Sequence, residues 1–489
     1  MLSGSTHSIH KGRNNLLYAK GFMRKVKIVA TIGPATSSET ALAGIMEAGV
    51  DVIRINGAHG DVKSLDNRVA LVRKVSKTID KEIGILVDLP GPKMRVGIVK
   101  DEEISLDEDD TISIVNESVL GTLESISTTV PNLYKIVEIG DPIILADGQI
   151  RSIVESVNGD VITLRILNSG TLKSKKGFFL PNAEDKITPF SDVDRKIVEA
   201  SVAAGVDFLG LSFVRRGSDV EEIRAMLPKS CGTHLIAKIE TRSAVDELPS
   251  ILATSDAVMV ARGDLGIQLD ITRVPLLQKE IIRACNQSGL PVITATEMLE
   301  SMTTSPIPTR AEVGDVANAV LDGTDAVMLS GETAVGRYPS ETVKTMAGVA
   351  LQAETWRKRR VPDVCVLGDD PVAWAVAHAV VQAAQDLNVK AILCPTRSGS
   401  TAQRIAAYRP TSTIVGISRD ESVLAQLSLI WGVQPVLMRD EIVPEKEVEQ
   451  IIELSCKAGF IKKGDLVAVA SGSTGKKAGG TDSIRVLNA

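Results

Sequence analysis

The chain has no surplus of positive charge: 55 Lys and Arg stand against 61 Asp and Glu, a formal net charge of −6. Nucleic-acid-binding surfaces carry a basic footprint, so no polynucleotide partner is expected. Any anionic ligand has to be held by local basic residues rather than by the overall field. Aromatic residues are scarce, at 3%, which leaves no platform for stacking single-stranded bases. The five cysteines, Cys231, Cys285, Cys365, Cys394 and Cys456, include no C-x-x-C pair. Their odd number and wide spacing point to reduced thiols in a cytoplasm-like compartment rather than to a disulfide framework. No apolar run reaches the roughly 20 residues of a membrane-crossing helix, so no membrane association is expected. Neither G-x-x-x-x-G-K-[ST] nor G-x-G-x-x-G occurs, which removes the common nucleotide-binding loops.

What is present describes a multidomain globular protein. The chain of 489 residues is too long for one core, and its hydrophobic share of 44% is ordinary. Residues 1–22 contain no Asp or Glu but carry Lys11, Arg13 and Lys20, the composition expected of a disordered or targeting lead. From Val26, apolar β-branched runs alternate with amphipathic stretches. The runs Val26–Thr31, Val50–Ile55, Ile83–Leu89, Val206–Phe213, His234–Glu240, Asp256–Ala261, Pro291–Thr296 and Asp325–Ser330 predict eight buried parallel strands. Eight βα units close into a (β/α)8 barrel, assigned to residues 23–97 and 181–358. Residues 98–180 are too long for a βα link. Their short alternating runs and the Asp147-Gly148 and Asn158-Gly159 turn signals predict an inserted β-barrel lid at the catalytic mouth. Residues 359–489 resume the βα rhythm and predict a doubly wound α/β domain.

Functional residues of such a barrel gather at the carboxyl ends of its strands. Those ends offer Thr31, Arg54, Asn56, Asp88, Ser212, Lys238, Glu240, Asp264, Thr296, Ser330 and Glu332. By composition alone this set reads either as an anion-and-metal site or as structural ion pairs. Glu240 and Asp264 follow neighbouring strands, and paired carboxylates suit a hard divalent cation such as Mg2+ or Mn2+. Lys238 lies two residues before Glu240 on the same strand face. A cation beside a metal is what a migrating phosphoryl group needs.

Several strings resemble the pyruvate kinase family: Lys27 to Thr36 (KIVATIGPAT), Met259 to Gly266 (MVARGDLG), Glu297 to Met302 (EMLESM), Pro308 to Glu312 with Asp315 to Val320, and Met328 to Ala334 (MLSGETA). The likeness runs from about Lys25 to the C-terminus, in the family's order. It implies an enzyme that moves the phosphoryl group of phosphoenolpyruvate onto ADP, with Glu240 and Asp264 binding the metal and Lys238 meeting the phosphoryl group. Arg54 and the backbone around Gly263 would hold phosphoenolpyruvate. Asn56, His59, Arg95 and Lys176 would face the nucleotide phosphates. Thr296, with Ser330 and Glu332 behind it, would support protonation of the enolate. Asp147 is either a turn residue or, as the resemblance implies, a lid group that reaches toward the metal. The resemblance also implies a homotetramer. Two other readings stand beside it: a barrel lyase acting through a metal-bound enolate, and a catalytically silent ligand sensor.

Three departures from the family pattern concern its monovalent cation. Ala58 and Leu89 stand where potassium-dependent members carry hydroxyls, and Lys93 stands where they carry Glu. Loss of two oxygen ligands and gain of an ammonium imply a reaction that does not require K+. In the C-terminal third, Thr396, Ser398, Gly399, Ser400 and Thr401 sit after a strand and open a helix, a ready phosphate site. The loop resembles the place where the family binds phosphorylated effectors.

Overall fold

The computed structural model describes residues 18–19, 22–58, 62–92, 94–182, 186–229, 231–356, 364, 370–441, 443, 446–472 and 480–489. His59, Lys93 and Cys365 lie outside the described residues, as does most of the lead before Met23. Within that lead, Tyr18–Ala19 pairs antiparallel with Phe22–Met23.

All eight expected barrel strands form: Lys27–Thr31, Val52–Asn56, Gly84–Asp88, Phe208–Leu211, His234–Ile239, Ala257–Ala261, Val292–Ala295 and Ala326–Leu329. Each pairs in parallel with the next, and the eighth closes on the first through Ala326 opposite Lys27. The strands are buried on both faces, which is why the sequence shows continuous apolar runs rather than alternation. Helices between them are bounded by local chemistry. The helix Arg310–Asp322 opens on Thr309, whose Oγ1 accepts the Glu312 N–H while the Glu312 carboxylate accepts the Thr309 N–H at 2.7 Å. It ends at Gly323, whose φ of +108° suits glycine. The helix Val274–Gln287 turns Leu277, Ile281, Ile282 and Cys285 onto the barrel.

The insertion follows the third barrel strand. Its five-stranded sheet runs Ser125–Ser127, Thr111–Val115, Val161–Ile166, Ile150–Asn158, Pro142–Leu145, and a separate ladder joins Glu103–Leu106 to Gly170–Lys173. Both wrap one apolar cluster that includes Ile112, Ile143, Leu145, Leu164, Leu172 and Phe178. The strands Glu103–Leu106, Ser125–Ser127 and Gly170–Lys173, of three or four residues each, were not among the runs read from the sequence.

The C-terminal sheet runs Val433–Leu437, Thr413–Ser418, Ala391–Pro395, Leu466–Ser471, Ser483–Asn488. Its first four strands are parallel and the last is antiparallel. Apolar clusters cover both faces. The antiparallel edge strand also escaped the sequence reading, since half-exposed residues give no apolar run.

This domain reaches into the barrel. Leu429 is 1% exposed and packs with Val29, Val52, Phe208, Ala257 and Ala326, closing the amino-terminal end of the barrel interior. Gly84 permits the approach: a Cβ there would lie 2.7 Å from Ser428 Oγ and 2.9 Å from Ala425 O. Beside the plug, the Trp431 ring lies between Lys25 at 4.9 Å and Arg409 at 5.0 Å, and Arg409 pairs with Asp325 at 2.7 Å. Truncating a buried Leu leaves a cavity and typically costs about 2–5 kcal/mol. Leu429→Ala is therefore expected to lower the midpoint of urea unfolding clearly, whereas Leu387→Ala, at a position 52% exposed, leaves it nearly in place.

Candidate active site

Three barrel strands deliver a buried charge network to the carboxyl-end mouth. Arg54, at the middle of Val52–Asn56, donates from Nε at 3.1 Å and from Nη2 at 2.5 Å to Asp88 Oδ2. Its Nη1 donates to Thr31 Oγ1 at 3.0 Å. Asp88 ends the third strand, and the same Oδ2 accepts Lys238 Nζ at 3.3 Å. The Lys238 ammonium also donates to Ser212 Oγ at 2.7 Å and lies 2.7 Å from Glu240 Oε1. The Ser212 hydroxyl in turn donates a hydrogen bond to Leu89 O at 2.6 Å.

Burial sets the electrostatics. It works against the charge on Lys238, but Asp88 and Glu240 outweigh it and hold the ammonium well above the ordinary lysine range. For Asp88 the cost of burial is overcome by Lys238 and Arg54, so its carboxyl is held below the usual range. Glu240 goes the other way. Burial pushes it up to about 7, Lys238 opposes this, and the charge of Asp264 adds to it. Asp264 is likewise raised, by burial first, against the pull of Lys238. Two carboxylates with raised proton affinity and a common neighbour form a site that gains from a cation.

The donor set fits a divalent metal. Glu240 Oε2 accepts the Phe213 N–H at 2.8 Å, but its Oε1 is buried and has no aligned hydrogen bond. Asp264, in the first turn of the helix Arg262–Gln268, takes no side-chain hydrogen bond among the described residues. Two buried carboxylates from neighbouring strands suit Mg2+ or Mn2+, whose remaining positions go to water and substrate oxygens.

Strained backbone surrounds the site. Phe213, Thr296 and Glu297 have φ of +56°, +70° and +54°. Such conformations cost on the order of 1–3 kcal/mol each and persist only where the surroundings impose them. Thr296 Oγ1 accepts the Gly263 N–H at 2.8 Å and donates to Ala295 O at 2.6 Å. Glu332 is fully buried and accepts the N–H groups of Ser330 at 2.7 Å and Leu299 at 3.1 Å. It thereby ties the end of the eighth strand to the loop after the seventh.

The inserted domain faces this mouth. The Ala146–Gly148 turn packs on the helix Arg262–Gln268: a Cβ at Gly148 would lie 3.1 Å from Ile267 Cγ1. The charge of Asp147 is felt at Asp264. Asp147 pairs with Lys176 Nζ at 2.8 Å and accepts the Gly177 N–H at 2.7 Å. Arg95 pairs with Gly177 across a β-bridge and donates to Lys175 O at 2.7 Å. Arg95 and Lys176 thus share one lid edge. Asn56 stays on the barrel rim, where its Oδ1 accepts the Ala58 N–H at 2.9 Å.

The loop at Thr396 lies apart, in the C-terminal domain. Gly399, at φ +78°, precedes the helix Ser400–Ala407, and its N–H donates to Thr396 Oγ1 at 2.9 Å. Ser398 and Ser400 hydroxyls are 3.1 Å apart and exposed. Thr401 is buried, and its hydroxyl meets Thr481 Oγ1 at 2.6 Å.

Sequence reasoning placed Asp88 and Ser212 at strand ends but gave neither a role. Arg262 entered only as part of the MVARGDLG string, without a role, and the Phe213 amide not at all, since neither a contact across strands nor a main-chain donor in a strained turn leaves a mark on the local pattern.

Comparison with known proteins bears on this geometry. The profile of the pyruvate kinase barrel domain matches residues 23–343, and that of the pyruvate kinase alpha/beta domain matches residues 374–487. A pyruvate kinase of Staphylococcus saprophyticus is 42% identical over 463 residues, 93% of this chain and 79% of that protein. One from Staphylococcus aureus is 40% identical over 469 residues, 95% of this chain and 80% of that protein. The crystal structure of a pyruvate kinase from Cryptosporidium parvum superposes with a TM-score of 0.88 at 34% identity, covering 95% of this chain and 96% of that one. With both domain profiles, their order and a closed barrel carrying the expected strand-end residues in agreement, the chain belongs to the pyruvate kinase family.

Proposed function

We propose that the barrel mouth transfers the phosphoryl group of phosphoenolpyruvate to ADP, giving pyruvate and ATP. The observation that carries the reading is the buried Lys238 ammonium held between Asp88, Ser212 and Glu240, beside the buried carboxylates of Glu240 and Asp264 whose proton affinity is raised. Glu240 and Asp264 would hold Mg2+ or Mn2+, which when bound supplies positive charge to the phosphoryl oxygens. Arg54, paired with Asp88, and Lys238, kept cationic by Asp88 and Glu240, orient the phosphoryl group and stabilise charge that spreads over its oxygens during transfer. The backbone around Gly263 orients the rest of phosphoenolpyruvate. Asn56, His59, Arg95 and Lys176 serve the nucleotide phosphates, three of them from barrel rim or lid edge. The lid turn on Ile267 excludes water and protects the enol released by transfer. Thr296, with Ser330 and Glu332 behind it, then supports protonation of that enol.

Formation of pyruvate from phosphoenolpyruvate and ADP with Mg2+ tests the whole assignment. A protein without turnover under these conditions is the silent sensor instead. Asp264→Asn keeps the shape and removes the charge. It is expected to lower turnover on the order of a hundredfold or more with circular dichroism unchanged; near-normal activity at saturating Mg2+ would place the metal elsewhere.

We propose further that the reaction runs without potassium. Neither Ala58 nor Leu89 offers a side-chain oxygen, and Leu89 is 1% exposed. Lys93, outside the described residues, would supply the missing charge. A unit charge at about 4 Å in a partly shielded site is worth about 4 kcal/mol, enough to matter for turnover. Turnover is expected to be similar in sodium, potassium and tetramethylammonium buffers of equal ionic strength, and a many-fold rise on adding potassium alone would remove Lys93 from this role.

The C-terminal loop is proposed to bind a phosphorylated small-molecule effector. The Ser398 and Ser400 hydroxyls are exposed to it, and Thr401 braces the loop from within through Thr481. The enzyme would work in the cytoplasm as a homotetramer. A sugar phosphate or nucleoside monophosphate is expected to shift the phosphoenolpyruvate saturation curve to lower concentration. Ser398→Ala with Ser400→Ala should weaken that shift, and a curve unmoved by a panel of such metabolites makes the loop a helix cap only.

A further inference from the structure

We infer that Arg262 is a positioning residue that aims the Thr296 hydroxyl into the active site, and that Asp315 in turn orients Arg262. The inference rests on the assignment of Thr296 to enol protonation. Arg262 is the first residue of its helix, and its guanidinium grips the strained turn after the seventh strand. Nε donates to Ala295 O at 3.3 Å, and Nη2 donates to Thr296 O at 2.6 Å, to Glu297 O at 3.2 Å and to Met298 Sδ at 2.9 Å. Nη1 donates to both oxygens of Asp315, at 2.8 and 2.6 Å, and to Gln278 Oε1 at 3.2 Å.

One planar cation thus holds the carbonyls of three consecutive residues, two of which have left-handed backbone. A β-branched residue at φ +70° is a conformation that Thr does not adopt on its own. Neighbouring groups have to impose it, and the carbonyls of Thr296 and Glu297 are the handles by which Arg262 does so. The Gly263 N–H, the next residue of the same helix, then fixes Thr296 Oγ1 at 2.8 Å. Backbone and hydroxyl of Thr296 are held from one helix start, one by a side chain and one by a main-chain amide. The rigid fork suits this task as a lysine ammonium does not, because a point charge on a flexible stem cannot span three carbonyls and a carboxylate together. Arg262 is only 9% exposed at its side chain, whereas Asp315 is 37% exposed, so Asp315 is the softer place to perturb the arrangement.

A double-mutant cycle tests the inference. Turnover, the KM for phosphoenolpyruvate, and exchange of pyruvate methyl protons with D2O would be measured for Arg262→Lys, Asp315→Asn, Thr296→Ala and the Arg262→Lys/Thr296→Ala pair. A misplacement of about 1 Å costs on the order of a hundredfold, so Arg262→Lys is expected to lower kcat and proton exchange by roughly 10- to 100-fold. The KM should change by less than about threefold, since ground-state binding is left to other groups. Asp315→Asn should give a smaller loss of the same kind. In the Thr296→Ala background, Arg262→Lys should add almost nothing, because its effect passes through the missing hydroxyl. If Arg262→Lys does not fold, Asp315→Asn takes its place in the cycle. Losses that multiply in the double variant, or a loss confined to KM, would overturn the positioning role and leave the Thr296 assignment standing. Thr296→Ala at wild-type kcat and wild-type proton exchange would overturn that assignment and the inference with it.

Discussion

Charge at the barrel mouth is sustained by Asp88 Oδ2, which accepts from Arg54 and Lys238 together. Two cations that face the same small volume repel one another, and burial penalises both. One carboxylate between them removes most of that cost and is itself held ionised by them. Stripping one partner from such a group leaves uncompensated buried charge, typically at about 3–5 kcal/mol. The other charged groups take their state from this arrangement. Lys238 stays protonated, so Glu240 and Asp264 have an adjacent cation yet remain short of positive charge.

The rest of the fold serves to keep this group in place. Consecutive parallel strands bring Arg54 and Asp88 side by side, with Asn56 opposite Asp88 in the ladder. The loop after the fourth strand adds Ser212 and the Phe213 amide. The inserted domain places its Asp147 turn over the helix that carries Asp264. At the far end, Leu429 fills the barrel interior from the C-terminal domain. The barrel therefore lies between a lid and a plug, and the catalytic and C-terminal domains share buried contacts rather than a bare linker.

Much of this was legible in the residues. Runs buried on both faces mark parallel strands whatever their partners, so the eight strands and their closure followed from spacing. The residues at strand ends were legible for the same reason, because strand polarity decides which end meets the mouth. Short ladders such as Glu103–Leu106 and the half-exposed edge Ser483–Asn488 were not, since their hydrophobic signal is weak and their pairing is long-range.

The sequence by itself determined the barrel, its insertion, the doubly wound C-terminal domain and the set of charged groups at one rim, because periodicity and strand direction are local properties. Only the tertiary structure decided how those charges are divided. Asp88 being shared by two cations, Glu240 being pinned on one oxygen by a strained Phe213 amide, and Arg262 spanning the Thr296 turn to Asp315 all join residues far apart in the chain. Nothing in a local pattern encodes which of several carboxylates a buried ammonium will meet; that depends on distances and burial that exist only once the barrel has closed.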